Sequence, residues 1–468
     1  MSPYTPYELG LPNSAHGSGI QNKKASCRGF ARHLSSNPTT MADIVRFTNG
    51  FLAMPDGTAV QGDLYVNTTT GLIIAGQENF YSTGLQPSRV VDLDGGILAP
   101  GLIDVQINGA YGVDFSDVDL GEGGDAKYLA GLDHVAERIV ETGTTSLVPT
   151  IITQQEELYA KLLRLLAPRS SKNSAHLLGY HAEGPFLHPE RKGMHTTELL
   201  LTANTTPPID AFDAVFGKEG LDQEGVKMIT AAPDVEGVMD CIEPLTKRGV
   251  IFSIGHSDAN LEQGEQAVAL GANMITHLFN AMRSIHHRDP GLVGLLGETG
   301  RRPYYGIIAD GLHLHPNTVR IAYGAAAERC ILVTDAQWIL DPSLPDGLHH
   351  WRGGFSFHKE GLRVVLEGTD TLAGSAIPFY QCIGNLAEWA GITIPQSLVC
   401  ATYHPAQMLG GRVAETKGQL KVGFDADLVV FGWDGSLRST WVMGKEVYRN
   451  PTIATGGVLR PTKDTKAE

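Results

Sequence analysis

Three residues in the middle of the chain carry side chains suited to binding one metal ion. Glu183 lies in HAEGPF, His256 in SIGHS and His277 in THLFNAM, and each follows an apolar run. One carboxylate and two neutral imidazoles are the donors that Zn²⁺ and the neighbouring transition metals prefer. Singly, such a glutamate is more often a cap or an ion-pair partner, and such a histidine more often a core residue. Together they favour a three-ligand site with one position open for water.

Asp335 ends another apolar run, in CILVTDA. Amide hydrolysis needs a group that takes a proton from the attacking water and later returns one to the leaving amine, because an amine anion leaves poorly. One carboxylate can do both. We therefore expect Asp335 to be the catalytic acid and base. The alternatives are a further metal ligand or a hydrogen-bond partner that orients a histidine.

These residues need elements that bring them to one place, and eight short apolar runs separated by helical segments meet that need. The runs are GLIDVQI, TSLVPTII, HLLGYHAE, VKMITAAP, VIFSIGH, MITHLFN, YYGIIAD and CILVTDA. Buried strands alternating with helices predict an α/β fold, a (β/α)8 TIM-type barrel closed by right-handed crossovers. Barrel chemistry sits at the C-terminal ends of the strands. We expect one shared site for the polar strand ends: Asp104 to Asn108, His181 to Glu183, His256, His277, Asp310 and Asp335.

The regions flanking the barrel are rich in short β-type segments and turns. Residues 42–100 and 406–455 are predicted to pair into one small β-sandwich domain, and residues 101–405 to form the catalytic barrel. A β-hairpin at about residues 352–371 is predicted inside the barrel segment, either as a lid or as a purely structural insertion. Residues 1–41 and 456–468 are predicted to be disordered extensions.

Composition narrows the classes of partner. A formal net charge of −15 and a pI near 5.6 disfavour nucleic acid and anionic membranes as partners. No run approaches the roughly 18 apolar residues of a membrane span. Five cysteines, an odd number without a CxxC pair, suggest neither a disulfide framework nor a zinc ribbon, and they fit a reducing, cytoplasmic compartment. The alternative is organellar import through the basic-biased residues 1–40.

Taken together, the motifs HAEGPF, KGMH, GHS, THLFNAM, RDPG, IADGLH, VTDA and LAGS resemble those of the N-acetylglucosamine-6-phosphate deacetylase family within the amidohydrolase superfamily. The motifs occur in the family's order, each at the expected strand end, over about residues 44–450. The resemblance implies hydrolysis of the acetamide of N-acetylglucosamine 6-phosphate to glucosamine 6-phosphate and acetate. It also implies that Glu183, His256 and His277 are metal ligands and that Asp335 is the catalytic acid and base.

Further matches imply contacts with a sugar phosphate substrate. His195 is expected to be catalytic, donating to the substrate carbonyl or a sugar hydroxyl, although a loop containing Arg191 and Lys192 also suits a solvated residue. Arg288, in the basic stretch MRSIHHRDPG, matches the family arginine that reaches the phosphate from a neighbouring subunit, which implies a homodimer. The remaining implied substrate contacts are Met194, Asn280, Ala281, Asp310, His313, Leu372, Ala373 and Gly374.

One motif departs from many barrel hydrolases and bears on the number of metals. Where they carry His-x-His at the end of the first strand, this chain has Gln106-Ile107-Asn108. Amides are poor zinc ligands, so one divalent cation per subunit is predicted, zinc being favoured and iron, cobalt or manganese compatible with the same donors. Gln106 and Asn108 are left to orient water, contact the sugar or satisfy buried backbone.

Two other readings remain open. One is an amidohydrolase that opens a cyclic amide, which would usually carry the His-x-His pair and often a modified lysine on the fourth strand. The only lysine there, Lys227, stands at the start of the strand. The other is a catalytically inactive barrel that serves as a scaffold, which would be expected to have lost ligands or the strand-eight aspartate.

Overall fold

The structure is a computed structural model, and it describes residues 44–76, 87–222, 226–351, 356–369 and 372–452. The predicted extensions at residues 1–41 and 456–468 lie outside the described residues. In chain order, the strands are β1 (Ile44–Thr48), β2 (Phe51–Ala53), β3 (Ala59–Gln61), β4 (Leu64–Asn67), β5 (Leu72–Ile74), β6 (Arg89–Asp92), β7 (Ile97–Pro100), β8 (Leu102–Ile107), β9 (Gly109–Ala110), β10 (Val113–Asp114), β11 (Thr144–Ile152), β12 (His176–Leu177), β13 (Tyr180–Glu183), β14 (Val226–Ala231), β15 (Ile251–Ile254), β16 (Met274–Ile275), β17 (Tyr304–Ile308), β18 (Cys330–Val333), β19 (Gly347–His350), β20 (Ser356–Glu360), β21 (Arg363–Leu366), β22 (Leu428–Phe431), β23 (Leu437–Val442) and β24 (Lys445–Arg449).

The α-helices are α1 (Gly124–Arg138), α2 (Glu156–Leu165), α3 (Ile209–Phe216), α4 (Lys218–Asp222), α5 (Val238–Lys247), α6 (Leu261–Ala269), α7 (Pro316–Ala326), α8 (Phe379–Ala390), α9 (Ile394–Val399), α10 (Tyr403–Leu409) and α11 (Gly411–Thr416). Short 3₁₀ turns cover Ile139–Thr142, Pro189–Arg191, Thr197–Leu199, Gly291–Gly297 and Ala327–Arg329. Among the described residues, no helix is both long and apolar enough to cross a lipid bilayer.

Eight parallel strands form the predicted barrel, in the spatial order β8, β11, β13, β14, β15, β16, β17, β18. Each of the eight predicted runs overlaps one of these strands. The last strand returns to the first, where the N–H of Asp335 donates to the carbonyl of Gln106 at 2.9 Å. Strands such as β8, β17 and β18 are buried along their whole length, which is why they read as continuous apolar runs. The α/β barrel prediction is confirmed.

A small β-sandwich flanks the barrel and uses strands from both sides of it. Its six-stranded sheet has the order β24-β23-β22-β7-β2-β3, and its four-stranded sheet has the order β5-β4-β1-β6. In the larger sheet β7 pairs antiparallel with β22, so that Leu98 stands opposite Val430. Phe47 and Trp441 meet edge to face in the apolar core between the sheets, with ring centroids 4.9 Å apart. The prediction that both ends of the chain build one β-sandwich is therefore confirmed.

The insertion after the last barrel strand is larger than the predicted hairpin. β20 and β21 pair antiparallel within the predicted range of residues 352–371, but β19 pairs with β20 as a third strand that begins at Gly347. The sequence PDGLHH hides this strand, because Pro345, Asp346 and Gly347 read as a turn. The start of the insertion is thus corrected to an earlier position.

A helix cap bounds one of the loops at the barrel mouth. Helix α6 begins directly after Asn260, whose side chain accepts from the N–H of Gln263 while the Gln263 side chain accepts from the N–H of Asn260. This reciprocal cap satisfies two N–H groups at the helix start. It therefore limits the loop between β15 and α6, which carries His256, to a few residues of defined path.

Candidate metal centre and active site

Glu183, His256 and His277 converge at the mouth of the barrel. They stand at or just after the C-terminal ends of β13, β15 and β16, and all three are buried. Glu183 Oε1 lies 3.2 Å from Nε2 of His256 and 3.2 Å from Nε2 of His277. The two Nε2 atoms are 3.1 Å apart. The structure thus brings together the three side chains that the sequence singled out.

The spacing of these atoms suits a shared cation. A tetrahedral ion with bonds of about 2.1 Å holds its ligand atoms about 3.4 Å apart, close to the three separations here. Two imidazole nitrogens and a carboxylate oxygen are also the donors zinc prefers. Burial would raise the pKa of Glu183, but the imidazoles of His256 and His277 outweigh it and hold that pKa well below its usual range. The carboxylate is therefore charged, as a ligand must be.

His195 also lies close to Glu183, and a second group of three is formed by Glu183, His195 and His256, whose ligand atoms lie within 4.8 Å of one another. Nε2 of His195 is 3.9 Å from Oε2 of Glu183. Burial, and then the neighbouring His256, lower the pKa of His195 to about 3, so its ring is neutral. Sequence alone did not indicate that this loop histidine is buried.

Hydrogen bonds on the far ring nitrogen give His256 and His195 opposite tautomers. Nδ1 of His256 lies 2.8 Å from the carbonyl of Arg191, so Nδ1–H donates and Nε2 keeps its lone pair for a metal. Nδ1 of His195 instead accepts from the N–H of Thr153 at 3.2 Å, and the Thr153 hydroxyl is 2.7 Å away. His195 therefore presents an Nε2–H donor to the site. A donor N–H is not a metal ligand, and this favours His277 over His195 as the third donor.

Asp335 is partly buried beside this cluster. The side-chain N–H groups of Asn108 and Gln106 both donate to its Oδ1, at 2.7 and 3.4 Å. Gln106 also donates to Glu183, at 3.2 Å. Burial, and then the charge of Glu183, raise the pKa of Asp335 to about 6. The carboxyl group is thus positioned and electrostatically prepared to exchange protons near neutral pH.

Gln106 and Asn108 face the site through their amides. Because each NH₂ group points at a carboxylate, each amide oxygen is directed elsewhere, and these two buried oxygens have no hydrogen-bond partner in the described part of the chain. Buried acceptors without partners are costly. A substrate or water donor would satisfy them.

Asp310 and His313 act on each other. Oδ2 of Asp310 lies 2.7 Å from Nδ1 of His313, and Oδ1 accepts from the N–H groups of Leu312 and His313. Burial would raise the pKa of Asp310, but the His313 contact outweighs it and lowers that pKa. Asp310 therefore fixes the loop and the ring of His313.

The loop carrying Met194 packs against the inserted sheet. Met194 contacts the apolar cluster that includes Phe357, Val364 and Ala373. Ala373 is buried, and Leu372 and Gly374 are partly buried. This segment runs beside the loop after β18, where the N–H of Ser375 donates to the carbonyl of Asp335 at 3.3 Å. Two separate motifs, KGMH and LAGS, thus meet at one side of the mouth.

The loop after β16 is divided between a half-buried and an exposed part. Asn280 and Ala281 are half-buried directly after His277, and the carbonyl of Ala281 accepts from the N–H of Ser257 at 3.2 Å. Arg288 is exposed, whereas the neighbouring Arg283 is engaged by Asp258 and Asp289. Within one chain, no hydrogen bond or ion pair among the described residues joins Arg288 to Glu183, His256 or His277.

Two residues expected at the shared site lie elsewhere. His181 stands two residues before Glu183 on β13, one layer deeper in the barrel, and its Nε2 lies 2.6 Å from the hydroxyl of Thr230. Asp104 is fully buried and contacts Thr334 across the seam between β8 and β18. For these two residues the expectation of a single shared site is wrong, because polar groups also satisfy one another inside the barrel.

Thr153 is a site residue that the sequence did not reveal. It orients His195, and it lies so close to Gly184 that a Cβ on Gly184 would stand 2.2 Å from Thr153 Oγ1. Gly184 also has φ +88°, which favours glycine. The glycine of HAEGPF, next to Glu183, thus makes room for the threonine that holds His195.

The fold and the metal-type cluster define a barrel hydrolase, and comparison with known proteins agrees. Residues 97–447 match the model of the Amidohydrolase family, and the chain belongs to this family. Within it the chain groups with the N-acetylglucosamine-6-phosphate deacetylases. One from Caenorhabditis elegans is 39% identical over 426 residues, covering 89% of this chain and 98% of the relative.

Solved structures of that name have the same fold. The N-acetylglucosamine-6-phosphate deacetylase from Pasteurella multocida superposes with a TM-score of 0.73 at 29% identity, covering 87% of this chain and all of that one. A mutant of the Mycobacterium smegmatis enzyme in complex with N-acetyl-D-glucosamine-6-phosphate gives a TM-score of 0.71 at 26% identity, covering 86% of this chain and 99% of that one.

Proposed function

We propose that this chain hydrolyses the acetamide of N-acetylglucosamine 6-phosphate to glucosamine 6-phosphate and acetate, using one divalent cation at the barrel mouth. The observation that carries the proposal is the convergence of Glu183, His256 and His277 beside Asp335, with contacts of 3.1 to 3.2 Å among the three donors. The deacetylases to which the chain is similar support the substrate.

The cation would be held by Glu183 Oε1 and by Nε2 of His256 and His277. Once bound, it would polarise the acetamide carbonyl and lower the pKa of a water molecule. Zinc is the favoured ion for these donors, with iron, cobalt and manganese as alternatives. One ion per subunit is proposed, because Gln106 and Asn108 turn their NH₂ groups towards the carboxylates and offer no imidazole for a second.

Asp335 takes the proton of the attacking water and returns it to the leaving amine. Its raised pKa, to about 6, suits both halves of this exchange. The N–H groups of Asn108 and Gln106 keep one carboxylate oxygen in place, so that the other is directed to the reacting atoms. The free amide oxygens of the same two residues accept from the substrate.

His195 donates to the substrate carbonyl through Nε2–H. This role rests on the Thr153 contacts, which fix the ring as a donor rather than a ligand. His313, oriented by Asp310, contacts a sugar hydroxyl. Asn280 and Ala281, Met194 and the segment of Leu372, Ala373 and Gly374 line the remaining sides of the sugar.

Arg288 binds the phosphate of a substrate held by the neighbouring subunit of a homodimer. The arginine is exposed, and its loop also exposes Ile285, 64% accessible, which suits a surface covered by a second copy. A guanidinium matches phosphate oxygens with paired hydrogen bonds. The four cysteines within the described residues are buried and free, which supports a reducing compartment such as the cytoplasm.

Acetate release tests the proposal directly. Purified protein supplied with Zn²⁺ is expected to release acetate from N-acetylglucosamine 6-phosphate, much more slowly from the unphosphorylated sugar, and not at all after chelation. A cyclic amide substrate serves as the competing class. Turnover of the cyclic amide, or no turnover of the sugar phosphate by metal-loaded protein, would contradict the proposal.

A further inference from the structure

The seam between the first and last barrel strands differs from the other strand contacts. Every other neighbouring pair forms a ladder, but within the described residues none joins β8 to β18. Single hydrogen bonds bridge them instead, from the N–H of Asp335 to the carbonyl of Gln106 at 2.9 Å and from the N–H of Asn108 to the carbonyl of Ala336 at 2.8 Å. Asp335 is therefore placed by a few specific contacts rather than by a regular ladder.

Asp104 adds side-chain contacts across this seam to those that Asn108 and Gln106 make with Asp335. Its Oδ2 lies 2.6 Å from the hydroxyl of Thr334, and its Oδ1 accepts from the N–H groups of Thr334 at 3.4 Å and Gln106 at 3.2 Å. The Thr334 hydroxyl in turn accepts from the N–H of Ala336 at 3.2 Å. Both chain neighbours of Asp335 are thus tied to one fully buried carboxyl group.

The backbone of Asp335 needs such support. Its φ is +47°, in the left-handed region that is strained for a residue other than glycine. A strained residue keeps this conformation only when its surroundings determine it. Here the conformation directs the carboxylate to Asn108 at 2.7 Å, beside Glu183 and the two histidines. If Thr334 and Ala336 were released, the carboxylate would lose its direction.

We propose that Asp104 and Thr334 are positioning residues for deacetylation, which hold Asp335 in the left-handed backbone conformation that aims its carboxylate at the reacting atoms. The inference rests on the proposed role of Asp335. It assigns the Asp of GLIDVQI and the Thr of VTDA to the proton-transfer step and not to metal binding, since neither contacts Glu183, His256 or His277 in the described structure.

The test uses Thr334→Val, which removes the hydroxyl with little change in shape, and Thr334→Ser, which restores it. We expect kcat of Thr334→Val to fall at least tenfold, with KM and bound metal unchanged, and kcat of Thr334→Ser to stay within about threefold of wild type. Thr440→Val is the matched control, because the buried hydroxyl of Thr440, on sandwich strand β23, donates at 2.8 Å to the carbonyl of Val140 in the 3₁₀ turn before β11. It should cost similar stability and leave kcat unchanged.

Two variants of Asp104 test the same inference without changing Thr334. Asp104→Asn retains a carbonyl for the two N–H groups and an NH₂ group for the Thr334 hydroxyl, so its kcat should stay within about threefold, whereas Asp104→Ala should match Thr334→Val. If Thr334→Val keeps wild-type kcat, or loses metal in proportion to activity, the inference is wrong. Asp335→Asn tests the catalytic role of Asp335 separately from the positioning role of Asp104 and Thr334. If Asp335→Asn retains turnover, the proposed role of Asp335 is wrong.

Discussion

The barrel mouth and the junction between barrel and sandwich both bury carboxylates, but they treat the charge differently. At the junction, Asp427 is met by the ammonium of Lys417, by His176 at 3.2 Å and by the N–H of Met443 at 2.9 Å. At the mouth, Glu183 and Asp335 lie close together and contact only imidazole and amide groups among the described hydrogen bonds and ion pairs. The contrast indicates that the charge of Asp427 is balanced within the fold by Lys417, whereas the carboxylates at the mouth suit a bound cation.

The pKa directions carry the same contrast. At the junction burial would raise the pKa of Asp427, but Lys417 outweighs it and holds that pKa well below its usual range. At the mouth burial raises the pKa of Asp335 to about 6, and the charge of Glu183 adds to the rise. An opposite charge stabilises the fold at one place, and a like charge prepares proton exchange at the other.

The largest expected effect comes from making the same change in both regions. Asp335→Asn should lower kcat by about 10²- to 10⁴-fold, because the amide cannot take the proton of water. It should still bind one equivalent of metal. Asp427→Asn should leave kcat of the folded enzyme unchanged. Steady-state kinetics with metal analysis checks both, and equal losses in the two variants would remove the distinction between the regions.

We expect the opposite order for stability: Asp427→Asn should lose more unfolding free energy than Asp335→Asn. Asp427→Asn leaves Lys417 buried with only Asp425, at 3.0 Å, and should cost about 3 kcal/mol of unfolding free energy. Because the folded pKa of Asp427 is depressed, its contribution is fully present above about pH 4 and is lost as the pH falls below that value. Urea denaturation at pH 7 and pH 3.5 measures this. A variant as stable as wild type at pH 7 would contradict the structural role.

Arg288→Ala sharpens the comparison by testing a charge outside both regions. Loss of hydrogen bonds to a phosphate, worth about 1.5 to 3 kcal/mol, should raise KM for the sugar phosphate roughly 10- to 100-fold and leave the slow rate with the unphosphorylated sugar unchanged. Arg288→Lys should recover only part of the loss. Arg283→Lys is the control, because Arg283 is occupied by Asp258 and Asp289. An unchanged KM in Arg288→Ala would refute the phosphate contact.

The smallest effect concerns the pH dependence of stability at the seam. Burial raises the pKa of Asp104 to about 7, so between about pH 4 and pH 7 the folded state binds more protons than the unfolded state. Stability should therefore fall as the pH rises through this window, by at most about 1.4 kcal/mol per pH unit. Asp104→Asn should lack this contribution. Urea denaturation of wild type and Asp104→Asn between pH 4 and pH 7 measures the difference. If the unfolding free energies of the two proteins change equally with pH, the assignment is wrong.

The sequence alone predicted the features that depend on periodicity and strand order. The eight apolar runs located the barrel strands, and the His, Glu and Asp residues at the ends of several runs located the converging side chains, because the C-terminal ends of the strands in a parallel barrel share one face. The sequence could not predict features that depend on contacts between segments distant along the chain. The tautomers of His256 and His195 are set by Arg191 and Thr153, which are far from them in sequence. A threonine just after a strand, such as Thr153, carries no sequence signal for such a contact.

The most direct test compares bound metal in His277→Gln and His195→Gln, purified alongside wild type. We predict one equivalent of metal in wild type and in His195→Gln, and a near-complete loss in His277→Gln, because His277 rather than His195 shares the cation with Glu183 and His256. Loss of metal from His195→Gln with retention in His277→Gln would contradict it.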